Sequence, residues 1–162
     1  SRHVGYNAKT ELMEEGVVVE RMLRTGSGSR KLLELTERGR DYVEENLDCD
    51  PAHSGRGGIV HRYWQHRIKE AFEEAGWTAK LEVFDADVYV NTGSTELAVE
   101  VAMSDNQREL DHMRKHFENG FDIVWVVCRT QEILEGLKQR AEEAGFEIDR
   151  SVFRLFQDFN NQ

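Results

Sequence analysis

Residues 86–101, ADVYVNTGSTELAVEV, decide the fold. Alternating apolar and β-branched side chains predict two strands, at about 86–91 and 96–102, and Asn91–Ser94 has the composition of the turn between them. Each strand carries one acid in its interior, Asp87 in the first and Glu100 in the second. A carboxylate inside an apolar strand costs on the order of several kcal/mol unless it is paired, protonated or bound to a cation. The two acids therefore predict a cation site.

The flanking segments extend this pair of strands into a larger α/β domain. Apolar residues at helical spacing predict a leading helix of some 17 residues from Ile59, and a strand follows at about 78–84. Downstream, Ser104 and Gln107 predict a capping box at the start of a helix. A strand is then predicted at 121–128, a helix at 131–144, a short strand near 146–148 and a last helix near 152–159. The predicted fold class is α/β, with helices flanking a mixed sheet in the order αβββαβ.

Residues 1–47 predict a separate α+β module. A helix ends at Gly16, two strands at about 17–24 and 30–35 flank a Gly/Ser turn, and Thr36 caps a closing helix. Residues 48–57 contain the only proline and no apolar periodicity, which predicts a linker. The predicted organisation is therefore a module at 1–47, a linker at 48–57 and a domain at 58–162.

Charge and composition limit the classes of partner. The formal net charge of −10 argues against a surface that wraps nucleic acid over its whole extent. Residues 1–47 contain eight Lys/Arg and nine Asp/Glu, so a local DNA footprint remains open there. No apolar run reaches the roughly 20 residues that span a bilayer, so no membrane partner is expected. Two cysteines far apart in the sequence predict a reducing cytoplasm.

Residues 14–47, EEGVVVERMLRTGSGSRKLLELTERGRDYVEENL, resemble the last part of a winged-helix domain. The resemblance implies DNA as a partner, contacted by the cations of the hairpin, and two further helices before residue 1. These cations are Arg21, Arg24, Arg30 and Lys31. Winged helices also dimerise, so a homodimer, a contact with another protein and a merely solvated hairpin all stay open.

The αβββαβ order and residues 86–101 resemble the core of the PD-(D/E)XK nuclease superfamily. The resemblance implies that Asp87 and Glu100 bind Mg²⁺ or Mn²⁺ and act in phosphodiester cleavage. Ala102 stands where the family has its lysine, and Ala86 replaces the signature proline. Lys80, on the preceding strand, is the nearest substitute, with Lys69 of the leading helix as another.

Two functional hypotheses follow. Residues 58–77, GIVHRYWQHRIKEAFEEAGW, are similar to the leading helix of nuclease-like domains attached to mobile-element and conjugation-type ATPases. The first hypothesis is a DNA-processing protein, either an active Mg- or Mn-dependent endonuclease or an impaired relative, with an ATPase region in the same or a partner chain. The alternative is a non-catalytic regulator or assembly module. His112 and His116 are predicted to be solvent-exposed on one helical face.

Overall fold

The computed structural model describes residues 2–25, 28–47 and 57–159. Its internal contacts divide the chain into two units, Ser1–Val60 and His61–Gln162. Of the predicted linker, only Gly57 falls among the described residues. None of the helices in the described ranges is both long enough and apolar enough to cross a membrane.

The first unit is a hairpin between two helices, in the predicted order. Its elements are α1 (Arg2–Glu14), β1 (Val18–Thr25), β2 (Gly28–Leu35) and α2 (Glu37–Asn46). The strands pair antiparallel from Val18 opposite Leu35 to Thr25 opposite Gly28. Thr36 caps α2 by accepting the N–H of Gly39. A Cβ on Gly39 would lie 2.0 Å from the carbonyl oxygen of Val17, so only glycine lets α2 approach the hairpin this closely.

The second unit is a five-stranded mixed sheet flanked by helices, with the first two residues of its leading helix counted in the first unit. Its helices are α3 (Ile59–Glu74), α4 (Gln107–Glu118) and α5 (Gln131–Glu143). Its strands are β3 (Thr78–Val83), β4 (Ala86–Asn91), β5 (Glu96–Ala102), β6 (Ile123–Cys128) and β7 (Ser151–Leu155). The sheet order follows the chain order, antiparallel from β3 to β5 and parallel from β5 to β7. The predicted mixed α/β class is confirmed.

Three details of the predicted elements were wrong. Residues 151–155 form strand β7 instead of a helix, because the apolar β6 pairs with them along its open edge. The short strand near 146–148 is absent, and a 3-10 turn, Ile148–Arg150, leads into β7 instead. Helix α4 begins at Gln107 with Asn106 as its N-cap, so the predicted capping box of Ser104 and Gln107 does not form, and the amide of Gln107 donates to Asp111 instead. A short apolar segment fits a strand or a helix equally well until its neighbours are known.

The helices cover the two faces of the sheet unequally. On one face, Phe72 of α3 packs edge-on against Trp125 of β6, with ring centroids 5.3 Å apart. The opposite face packs under α4 and α5. The buried residues of that second layer are Ala102, Leu110, Met113, Val124, Val126, Cys128, Leu137 and Ala141. Because side chains alternate along a strand, Glu100 shares the face of Ala102 and lies under α4.

Candidate metal-binding site

Asp87 and Glu100 lie side by side on neighbouring strands. Val88 of β4 pairs with Val99 of β5 in an antiparallel ladder, so the next residues outward are these two acids. The backbone N–H of Val101 donates to Asp87 Oδ2 at 2.8 Å, which ties the first acid to the strand of the second. Asp87 is 8% exposed and Glu100 is 3% exposed. The strands therefore bring the two acids together in a buried place, but of the two only Glu100 belongs to the group of possible ligand atoms found among the described residues.

Asp87 is held as an ionised carboxylate from the side of α3. His61 Nε2 lies 3.1 Å from its Oδ2, and Gln65 Nε2 donates to its Oδ1 at 3.0 Å. Burial alone raises the pKa of Asp87, but the hydrogen bond and charge of His61 outweigh it, together with the donors of Val101 and Gln65. The net effect lowers the pKa of Asp87 below its usual value.

Glu100 is held from α4 by two histidines. His112 Nδ1 lies 3.0 Å from its Oε2, and His116 Nε2 lies 2.6 Å from its Oε1. His116 is only 1% exposed, so the prediction that these histidines face solvent was wrong. The physical reason is that a buried carboxylate turns the polar stripe of α4 inward. The hydrogen bond to Glu100 raises the pKa of His112, although burial opposes it.

Glu109 completes the cluster, and the sequence reasoning missed it. Burial, followed by the charge of Glu100, raises the pKa of Glu109 to about 7. One ligand atom each from Glu100, Glu109 and His112 can be chosen so that all three lie within 4.8 Å of one another. The spacing of residues 109, 112 and 116 could have indicated this cluster, because they lie at helical intervals on a segment that follows a strand with a buried acid.

The donor set fits a divalent cation. Two neighbouring carboxylates repel each other when both are ionised. A cation between them offsets this repulsion. Carboxylate oxygens alone suit Mg²⁺, whereas an imidazole among them shifts the preference toward Mn²⁺ and later transition metals. The side chains of Glu100, Glu109 and His112 could therefore hold a divalent cation.

The position at which the nuclease resemblance implies a lysine carries no charge. Ala102 is fully buried beside Cys128, its partner on β6, within the apolar layer under α4 and α5. Lys80 is exposed on β3 opposite Tyr89, and among the described residues it makes no hydrogen bond or ion pair with either acid. Lys69 is engaged elsewhere, since its Nζ lies 2.6 Å from Glu73.

The four predicted DNA-contacting cations of the hairpin divide between its two faces. Strand pairing puts Arg24 and Lys31 on one face and Arg21 and Arg30 on the other. Arg21 and Lys31 form ion pairs within the hairpin. Arg21 Nε lies 3.2 Å from Glu34, and Lys31 Nζ lies 3.0 Å from Glu20.

Comparison with known proteins assigns the chain to no family. No protein-family model matches the chain, and no curated protein matches it. The chemistry of the cluster is therefore the basis for a functional conclusion. Its defining feature is a largely buried group of carboxylates and histidines, contributed by β4, β5, α3 and α4, in which burial raises the pKa of Glu109 to about 7.

Proposed function

We propose that the chain is a DNA-processing protein whose second unit binds a divalent cation and, through it, the phosphodiester backbone. The observation that carries the proposal is the convergence of Glu100, Glu109 and His112, with Asp87 beside Glu100. In the nuclease superfamily that residues 86–101 resemble, two acids in these positions hold the catalytic cation. Mn²⁺ is the cation that the donor set favours.

Glu100, Glu109 and His112 would hold the cation, which supplies Lewis-acid stabilisation of charge on a phosphate oxygen. The protein's own groups prepare the site. His116 forms a hydrogen bond with one oxygen of Glu100, so a buried ring sets the orientation of that carboxylate. The three donors on Asp87 keep it ionised beside the cluster. Glu109 holds a proton that it must give up for its oxygen to serve as a ligand.

Calorimetric titration with Mn²⁺ tests the site. Because the pKa of Glu109 is about 7 and that of His112 is raised, we expect Glu109 to release about half a proton per cation bound at pH 7 and His112 to add to this release, with almost none released at pH 9. The released fraction follows from titrations in two buffers with different ionisation enthalpies. Mn²⁺ should bind more tightly than Mg²⁺. Absence of Mn²⁺ binding at pH 8, or tighter binding of Mg²⁺, would contradict the proposed donor set.

The hairpin of the first unit supports the DNA part of the proposal. Arg24 is exposed close to the turn, where a cation can reach a phosphate. Replacing Arg24 and Arg30 together by alanine is expected to weaken duplex binding and to flatten its salt dependence by about two in the log–log slope. Fluorescence anisotropy at several salt concentrations measures both. Arg38→Ala, which removes a cation from α2, is the control, and an equal loss there would argue against the hairpin.

A second candidate is the non-catalytic assembly module. It is favoured by the uncharged Ala102 and by exposed apolar side chains in the first unit, namely Leu12, Met13, Met22, Leu33, Tyr42 and Leu47. Cleavage of duplex, single-stranded or branched DNA with Mn²⁺ would decide for the nuclease, whereas cation binding without cleavage would decide for the module. An ATPase region and a homodimer remain predictions of the resemblances.

A further inference from the structure

Arg108 lies in the first turn of α4, beside the proposed cation site. Its Nε donates to His112 Nε2 across a long 3.5 Å contact. The side chain is exposed, and among the described residues the terminal nitrogens of the guanidinium have no hydrogen-bonding partner. Its positive charge lowers the pKa of both Glu109 and His112, so it is close enough to act on the cluster.

In the neutral form of His112, its two contacts specify which nitrogen carries the hydrogen. Nδ1 faces Glu100 Oε2 at 3.0 Å, and a carboxylate oxygen only accepts, so Nδ1 donates. Nε2 faces the N–H of Arg108 and therefore accepts with its lone pair. A neutral imidazole has one donor and one acceptor nitrogen, and this arrangement uses both.

Cation binding by His112 would remove the acceptor that Arg108 uses. If Nε2 becomes the ligand, its lone pair is taken and Nδ1 continues to donate to Glu100. If Nδ1 becomes the ligand, the hydrogen of the neutral ring moves to Nε2, which can then no longer accept. Arg108 loses its partner in both cases. At the same time the cation neutralises the carboxylates that would otherwise attract the guanidinium.

We infer that Arg108 is a phosphate-binding residue whose Nε becomes available when the cation binds, so that the site takes its cation first and its anion second. The inference rests on the proposed cation site and names its second ligand as a phosphate oxygen, from a phosphodiester or from free phosphate. A guanidinium offers several donors in one plane, an arrangement that matches two phosphate oxygens. Arg108 thereby supplies, from α4, a positive charge that β5 lacks at Ala102.

The test uses the whole chain, Mn²⁺ and inorganic phosphate as the probe. Bound Mn²⁺ broadens the ³¹P resonance of phosphate that comes close to it. We expect such broadening with the unaltered protein, and Arg108→Ala should weaken phosphate binding by about 10- to 100-fold. Arg108→Lys should lie between the two, since one ammonium replaces a planar pair of donors. Arg114→Ala is the matched control, because Arg114 is on the same helix and pairs with Asp111 instead.

The same samples distinguish the role of Arg108 in phosphate binding from the existence of the cation site. Free Mn²⁺, measured by electron paramagnetic resonance, should show that Arg108→Ala binds Mn²⁺ at least as tightly as the unaltered protein, because the charge of Arg108 opposes a cation at the cluster. If Arg108→Ala binds Mn²⁺ and its phosphate affinity equals that of the unaltered protein, the role of Arg108 is overturned and the cation site is not. No Mn²⁺ binding in the unaltered protein would overturn both. Competition by a dinucleoside phosphodiester would identify the nucleic-acid backbone as the source of the phosphate, and its absence would identify free phosphate.

Discussion

Replacing Glu100 by alanine is expected to lower Mn²⁺ affinity by at least about 100-fold and to abolish any Mn²⁺-dependent nicking of DNA. Glu100 is the carboxylate that both His112 and His116 hold, and it contributes to the three-residue ligand group. Titration calorimetry measures the first effect. Conversion of supercoiled plasmid to open circles measures the second.

The same substitution has a structural cost that must be separated from the loss of a ligand. His116 is 1% exposed, and its Nε2 would lose its partner, at a cost of about 1–3 kcal/mol in the free energy of unfolding. Glu96→Ala is a matched control because it removes a more exposed glutamate from the same face of β5. A folded Glu100→Ala protein that binds Mn²⁺ as tightly as the control would refute the site.

Replacing Glu109 by glutamine is expected to stabilise the cation-free protein at pH 8 while lowering Mn²⁺ affinity by at least about tenfold. Folding raises the pKa of Glu109 from 4.5 to about 7, so the folded protein holds this proton more tightly than the unfolded chain. The resulting stability is complete below about pH 4.5 and is lost as the pH rises through 7. At pH 8 the ionised carboxylate is destabilising, and glutamine removes its charge.

The expected gain is about 1–2 kcal/mol at pH 8, since partial exposure of Glu109 screens the repulsion. It should shrink steadily as the pH is lowered to 5, which urea unfolding of both proteins at several pH values will show. Glu118→Gln, on an exposed part of the same helix, should change neither stability nor Mn²⁺ affinity. A Glu109→Gln protein less stable than the unaltered one at pH 8 would contradict the raised pKa and its causes, the burial of Glu109 and the charge of Glu100.

Much of the site's framework is readable from local patterns. Period-two alternation identified β4 and β5 and placed Asp87 and Glu100 inside apolar strands, where a carboxylate needs a partner. The same alternation put Ala102 on the face of Glu100, and so showed that the lysine implied by the nuclease resemblance is absent from this position of β5. In the first unit, the Gly/Ser turn and Thr36 predicted the hairpin and the start of α2 correctly. Each of these inferences depends on residues only a few positions apart.

Tertiary structure alone decided the partners of those acids. Whether the polar stripe of α4 meets water or a buried carboxylate depends on which face of the sheet α4 covers, and no local pattern contains that information. The local pattern therefore predicts that His112 and His116 face solvent, and it singles out neither Glu109 nor Arg108. Strand β7 was missed for a related reason, because its ladder with β6 joins segments more than 20 residues apart. The sequence by itself determined the strands and the acids within them, while the packing of α3 and α4 against the sheet determined which side chains surround those acids.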